Sequence, residues 1–346
     1  MKTLSIAIPV YNTERYIKRC VDSLALKDII DDIEIILVND GSKDNSIKIL
    51  NEYKEKLNDS VVVIDKENGG HGSTINAALK IAKGKYFRVI DSDDWVNSRD
   101  FITFVKALKK ENVDLVITDY RKEHIYNGLS EKIIWSKLSK NKEYNFDKIK
   151  LEILNKDYFV MANSTYKTEV LRKSRLSLLE KTFYVDMQYN IIPISNVKSF
   201  KYLKLDIYRY FIGRPDQSMN LNNFVKNRAN HEKVMKYLIE YYCNNKSSFS
   251  KVKIQYIEQI LFYMLTTHYY IYCVYAKNNK KNIYKEISFF DKYLKDTDKK
   301  LYDLMNTVAQ IRYNRKTKFI FTRISPNKFS KFISFCGNHV VRKVRR

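Results

Sequence analysis

The chain has 346 residues, enough for two domains with a sizeable core. It is rich in aromatics (27 Tyr, 18 Phe) and poor in Gly (8) and Pro (4), which excludes a disordered or fibrous chain. A formal net charge of +24 at pH 7 fits nucleic acid, an anionic membrane face or anionic substrates as partners, or a plain lysine-rich surface.

The first half alternates in period. Leu4 to Val10 is a short apolar strand, and Thr13 opens a helix through about Leu26 as its N-cap. Ile33 to Val38 forms a second strand, followed by Asn39-Asp40-Gly41-Ser42 and a helix from about Asn45 to Lys56. Val61 to Asp65 is a third strand, and the glycine-rich loop Glu67 to Ser73 leads into a helix over Thr74 to Ala82. Tyr86 to Ile90 is a fourth strand, Asp100 to Glu111 a helix, and Asp114 to Asp119 a further strand. Short apolar strands separated by helical patterns predict βαβ units and a mostly parallel sheet flanked by helices. After about residue 215 glycine nearly vanishes and long helical patterns appear, Val225 to Cys243 and Ile254 to Ala276. The second carries Gln255, Glu258, Gln259 and His268, polar groups costly in lipid, so it reads as a helix packed on protein. The expected domains are therefore 1–215 and 216–346.

The most informative stretch is Lys83 to Ser98. A β-branched and aromatic run stops at Asp91, Asp93 and Asp94, followed by Trp95. Carboxylates at the C-terminal end of a strand lie where open α/β sheets bind ligands. Asp91 and Asp93, two apart on extended backbone, share a face, and two anionic oxygens with coordination positions left open suit a hard divalent cation bridging to a diphosphate. An acidic turn is the plain alternative, since Asp and Ser favour turns. Pro9-Val10-Tyr11-Asn12 and Asp40-Gly41-Ser42 end two other strands at the same edge. Tyr11 offers a flat face for a base and Asp40 an acceptor for a ring N–H. Asn68 to Ser73, just before a helix, can set backbone N–H groups against phosphate, although it is neither a Walker loop nor a dinucleotide turn.

In order and spacing, Pro9-x-Tyr11-Asn12, Asn39-Asp40-Gly41-Ser42-x-Asp44, Asn68-x-Gly70 and Asp91-Ser92-Asp93-Asp94 resemble family 2 glycosyltransferases, inverting enzymes of the GT-A fold that use nucleotide-diphosphate sugars. The resemblance covers residues 1–120 closely and extends loosely to about 220. It implies that Asp40 and Tyr11 hold uracil and that Asp91-Ser92-Asp93 is the Asp-x-Asp motif. Asp93 would then ligate Mn²⁺ or Mg²⁺, with Asp91 on the ribose or the metal shell. Pro9, Asn12, Asn68, Gly70 and Ser92 complete the implied donor site, with Asp94 and Trp95 beside it. The family's catalytic base falls on Asp186 in Tyr184-Val185-Asp186-Met187-Gln188, with Glu180 in reserve and a helix cap as the plain alternative for Asp186. Gln188 is followed by Tyr-Asn-Ile-Ile, so the processive Gln-x-x-Arg-Trp signature is missing. The segment around Arg214 resembles one that follows the base in capsule and exopolysaccharide transferases, where Arg214 would neutralise diphosphate.

The tail Lys316 to Arg346 holds nine Lys or Arg and no Asp or Glu, interleaved with Phe and Ile. Such a segment lies on an anionic membrane face, or packs on its own domain or another subunit of a homo-oligomer. Cys20, Cys243, Cys273 and Cys336 lack paired spacing, and the N-terminal apolar run is too short for a signal peptide. The expected location is the cytoplasm, peripheral on the inner face of the plasma membrane.

The expected function is transfer of a hexose or N-acetylhexosamine from a UDP-sugar to a hydroxyl of a glycan or lipid-linked acceptor, forming a β-linkage in bacterial surface polysaccharide. A sugar nucleotidyltransferase would need a Gly-rich, Lys- or Arg-bearing loop after the first strand, which Tyr11-Asn12-Thr13 is not. A nucleic-acid-binding protein would explain the charge, but the acidic cluster at the sheet edge opposes it, so no nucleic-acid partner is expected.

Overall fold

The structure, a computed structural model, describes residues 2–154, 157–213, 221–275 and 280–319. The chain divides into two compact units, 1–215 and 216–346.

In the first unit, β1 (Leu4–Val10), α1 (Ile17–Leu24), β2 (Ile33–Asp40), α2 (Ser46–Leu57), β3 (Val61–Lys66), α3 (His71–Ile81) and β4 (Tyr86–Val89) follow one another as βα units. Then come β5 (Trp95–Val96), α4 (Ser98–Leu108), β6 (Leu115–His124), β7 (Ser130–Ile133), β8 (Glu143–Asn145), β9 (Ser164–Lys167), α5 (Thr168–Lys173), α6 (Asp186–Ile191) and β10 (Ser199–Ile212). The sheet order is β3-β2-β1-β4-β9-β6-β10-β5, with β7 paired to β6 and β8 to β10. β1 to β4 run parallel, and β9 enters antiparallel between β4 and β6. Every residue of β1 and β2 is buried, the mark of strands covered on both faces.

The flanking helices bury stripes that their spacing dictates. Ile17, Cys20, Val21 and Leu24 of α1 stand at i, i+3, i+4 and i+7, as do Phe101, Phe104, Val105 and Leu108 of α4, and all eight join one core with Ile6, Ile8, Ile35 and Leu37. Each such side chain contributes about 1.5–3 kcal/mol by leaving water.

In the first unit two helix starts differ from the sequence expectation by three residues or more. α1 begins at Ile17 because residues 13–16 first wind a turn, in which the Thr13 carbonyl accepts from the N–H groups of Tyr16 and Ile17 at 2.9 and 3.0 Å. Thr13 therefore does not cap the helix with its hydroxyl. α3 begins at His71, three residues early, because Gly70 at φ +82° turns the chain and Ser73 bonds back to the Gly70 carbonyl through both its N–H (3.0 Å) and its hydroxyl (2.8 Å). Gly72, a poor helix former, masks this start in the sequence.

The second unit contains α7 (Leu221–Lys226), α8 (Arg228–Asn245), α9 (Lys251–Tyr270), α10 (Lys280–Thr297), α11 (Lys299–Leu304) and α12 (Ala309–Lys316). The helix expected from Val225 is interrupted at Asn227, and α9 starts at Lys251 because the Ser250 hydroxyl caps it by accepting from Lys253 N–H at 3.3 Å. His231 of α8 and His268 of α9 are buried with their Nδ1 atoms 3.0 Å apart. Burial lowers the pKa of both, that of His231 to about 4. Among the described residues no helix is long and apolar enough to cross a membrane.

Candidate active site

Strand register brings the first functional side chains to one edge. Val10 pairs with Asn39, Asn39 with Asp65, and Asp40 with Lys66, so the segments after β1, β2 and β3 leave the sheet together. The loops after β1 and β2 are stapled to each other. Asn12 N–H donates to the Ser42 hydroxyl (3.1 Å), and Lys43 N–H donates to Asn12 Oδ1 (2.7 Å). Glu14 N–H donates to Asp44 (3.0 Å), and Asn45 N–H to Glu14 (2.8 Å). Asn12 takes φ +53°, which Asn tolerates better than most residues. Tyr11 is left 51% exposed, its ring available to a ligand, while Pro9 is buried within β1.

Asp40 is the hub of this edge. Its carboxylate is buried and accepts from Lys66 Nζ (2.9 Å), Gly69 N–H (2.8 Å), Gly70 N–H (2.7 Å) and the Ser73 hydroxyl (3.3 Å). Asn68 adds its side-chain amide to the Asp40 carbonyl at 2.9 Å. The glycine-rich segment thus folds around a carboxylate of the chain itself.

The acid turn divides its carboxylates. Asp91 and Asp93 stand partly exposed at the rim, whereas Ser92 is buried. Asp94, expected beside them, is turned inward and fully buried, where it accepts from the Tyr208 hydroxyl and, at 2.8 Å, from Phe211 N–H. Burial first, then the charges of Asp93 and Asp91, push its pKa well above the carboxylate range, against the pull of those two hydrogen bonds. Tyr208 also accepts from Asp91 N–H at 3.3 Å, so β10 grips the turn from behind. Trp95 stacks under Arg19, whose guanidinium lies 3.7 Å from the ring centre and 4.6 Å from that of Phe211. The same Arg19 donates to the Asp93 carbonyl at 2.8 Å.

The third component comes from the segment before α6. Lys181 N–H donates to the Gly69 carbonyl at 2.5 Å, and Asn76 of α3 exchanges two 2.9 Å bonds with the backbone of Leu178. A Cβ on Gly72 would collide with the Leu179 carbonyl, so this close approach requires glycine. Tyr184, at φ +66°, bends the chain just before α6, a strained backbone for a bulky residue. Asp186 is the first residue of α6; the cap position falls on Val185 and no side chain caps the helix, so the plain alternative of a helix cap does not describe Asp186. Glu180 is exposed.

These segments converge electrostatically. His71 Nε2 hydrogen-bonds Asp91 Oδ1 at 2.8 Å. Burial works against a charged imidazole, but the bond to Asp91 and the charges of Asp91, Asp186 and Asp93 outweigh it and raise the His71 pKa. Asp186 is raised by burial and by Asp91, with His71 opposing. The Tyr210 hydroxyl is pushed up by burial and by Asp94, Asp91, Asp186 and Asp93 together. No three His, Cys, Asp or Glu side chains among the described residues form a ready cation cage. The rim pair Asp91 and Asp93 suits an ion that completes its shell with phosphate oxygens and water, as Mg²⁺ commonly does.

Sequence reasoning missed Arg19, Lys66, His71 and Tyr208 as neighbours of the site. The only signal for His71 was its place in the glycine-rich segment, and Lys66 becomes visible only once the β2–β3 register is known. Arg214 and residues 320–346 of the tail lie outside the described residues.

Sheet and rim together define an α/β protein whose polar loops gather at the carboxyl edge of the sheet. Residues 5–175 match the model of Glycosyl transferase family 2. The chain is 43% identical over 117 residues to the poly(ribitol-phosphate) beta-glucosyltransferase of Bacillus spizizenii (strain ATCC 23059 / NRRL B-14472 / W23), a match covering 33% of this chain and 18% of that one. EpsH of Bacillus subtilis (strain 168) is 32% identical over 214 residues, 60% of each chain. The chain therefore spans less than two thirds of these relatives. The crystal structure of S. aureus TarS 1–349 in complex with UDP-GlcNAc superposes with a TM-score of 0.67 at 18% identity, over 96% of this chain and 92% of that one, a likeness of fold.

Proposed function

We propose that the chain is an inverting glycosyltransferase that moves a hexose or N-acetylhexosamine from a UDP-sugar to a hydroxyl of a glycan or lipid-linked acceptor in bacterial surface polysaccharide synthesis. One observation carries this: His71, from the glycine-rich segment, hydrogen-bonds Asp91 of the acid turn at 2.8 Å at the carboxyl edge of the sheet, with the charges of Asp93 and of the distant Asp186 also felt there. The names of the relatives and UDP-GlcNAc in the TarS complex support a UDP-sugar donor.

In this reading Tyr11 faces the uracil, whereas Asp40, expected to hold the base as well, instead fixes the loop that borders it and presents Asn68 and Gly70 to the donor. The reason is that its buried carboxylate is already taken by Lys66, Gly69, Gly70 and Ser73. Asp91 contacts the ribose, and Asp93, with Asp91 beside it, would hold Mn²⁺ or Mg²⁺. When bound, such an ion offsets the negative charge that develops on the departing diphosphate. Asp186 removes the acceptor's proton as that oxygen attacks C1 from the face opposite the phosphate. The new C1–O bond forms as the bond to phosphate breaks, UDP leaves with the electron pair, and an α-linked donor yields a β-linked product. A carboxyl whose pKa is raised by burial is a better proton acceptor than an exposed one, and His71 keeps the rise in check.

Hydrolysis of a panel of UDP-, GDP- and dTDP-sugars with Mn²⁺ tests the assignment. Turnover restricted to UDP-sugars is expected, and a preference for another nucleotide would overturn the donor class. The tail is assigned to an anionic membrane face, where each nearby cation contributes about 1 kcal/mol. Removing residues 316–346 should release the protein from anionic liposomes, and unchanged partitioning would contradict this.

A further inference from the structure

The glycine-rich segment touches three parts of the proposed site. Gly69 and Gly70 bind the Asp40 carboxylate through their N–H groups, the Gly69 carbonyl holds Lys181 of the segment leading to Asp186, and His71 reaches across to Asp91. His71 is the only side chain in Asn68–Gly72 that contacts a rim carboxylate among the described residues. Its ring is fixed at its root. It is the first residue of α3, its carbonyl accepts from the Thr74 hydroxyl at 2.6 Å, and the helix is anchored at Gly70 and Gly72 against the Leu178–Lys181 backbone.

We propose that His71 is a positioning residue for Asp91: its Nε2–H clamps Asp91 Oδ1, aims the carboxylate at the donor's ribose and diphosphate, and ties that aim to the segment bearing the catalytic base. This rests on the donor-site reading above. The physical reason is the crowding of like charges. Asp91 shares the acid turn with Asp93 and its charge reaches Asp186, so an unrestrained carboxylate there would swing toward water, away from both. A hydrogen bond from a ring rooted in a helix start sets its rotamer. A lysine in that place would compete with a cation as a flexible point charge. Hydrogen bonds that orient a ligating or ligand-contacting carboxylate commonly matter 10–100-fold when removed.

The test is calorimetric binding of UDP and of uridine to the full chain, each with Mn²⁺ and with EDTA, for wild type, His71→Ala and His71→Gln. Gln keeps an N–H donor of similar reach. His71→Ala should lose about 10–100-fold in Mn²⁺-dependent UDP affinity while uridine binding stays within about 2-fold, and His71→Gln should recover most of the loss. UDP affinity in His71→Ala equal to wild type would overturn the role. So would an equal loss for uridine and UDP with a lowered Tm and no recovery in Gln, which would mark a residue needed only for folding. A wild-type protein that binds neither UDP nor uridine would instead sink the donor site itself, and this role with it.

Discussion

Tyr208→Phe removes one oxygen from behind the acid turn, and its cost can be worked out in advance. The hydroxyl donates to the buried carboxyl of Asp94 and accepts from Asp91 N–H at 3.3 Å. Loss of a hydrogen bond to a charged or buried group costs about 1.5–3 kcal/mol, and the long, part-buried bond from Asp91 N–H adds less than about 1 kcal/mol. A total of about 3 kcal/mol lowers Tm by roughly 6–12 °C for a unit of this size. The internal control is Tyr189→Phe, the same chemical change at a fully buried tyrosine whose hydroxyl has no partner among the described residues. It should be neutral or stabilising. The loss also has a sign in pH. The Asp94 pKa is raised in the fold, so the stability linked to it is fully present below the ordinary carboxylate pKa and is lost as pH rises through the folded value. Tyr208 favours the ionised form, so the deficit of Tyr208→Phe should widen toward high pH. Differential scanning fluorimetry of both variants across pH reads all of this. A Tm drop below about 1 °C in Tyr208→Phe, or equal drops in both variants, would refute the reasoning.

Asp186→Asn should retain UDP binding and lose transfer by about 10²–10⁴-fold, and retained transfer would shift the base to Glu180. Gly72→Ala should destabilise by about 1–3 kcal/mol in urea unfolding, because the added methyl meets the Leu179 carbonyl. A stabilised variant would mean that the two segments part without cost. His231 and His268 hold their pKa values down in the fold, so the stability they contribute is present above the unfolded value of 6.5 and lost as pH falls toward about 4. The loss should approach roughly 3 kcal/mol for His231, and a His231→Gln/His268→Gln variant should show a flatter stability profile between pH 7.5 and 4.5.

Much of the first unit was legible because its central strands announce themselves. Leu4–Val10 and Ile33–Val38 are unbroken apolar runs, as both-face burial demands, and the acid turn ends such a run abruptly. β9, four residues inserted antiparallel between β4 and β6, left no trace in the sequence, because so short a strand has no period to read. Asp94 was misplaced for a related reason. The Asp91–Asp94 stretch is a turn closed by Asp94 N–H on the Asp91 carbonyl at 3.0 Å, so strand alternation fails there and one carboxyl goes inward. Lys66 meets Asp40 through a strand register, and His71 meets Asp91 through a helix start hidden behind glycines. Both depend on contacts that no local pattern encodes.

The most direct test of the account is a crystal of the full chain soaked with UDP and Mn²⁺. It should show an anomalous peak at the Asp93 carboxylate, with the diphosphate beside Asp91 and the uracil against Tyr11. An ion and diphosphate bound elsewhere, with Asp91 and Asp93 turned away into salt links, would contradict it.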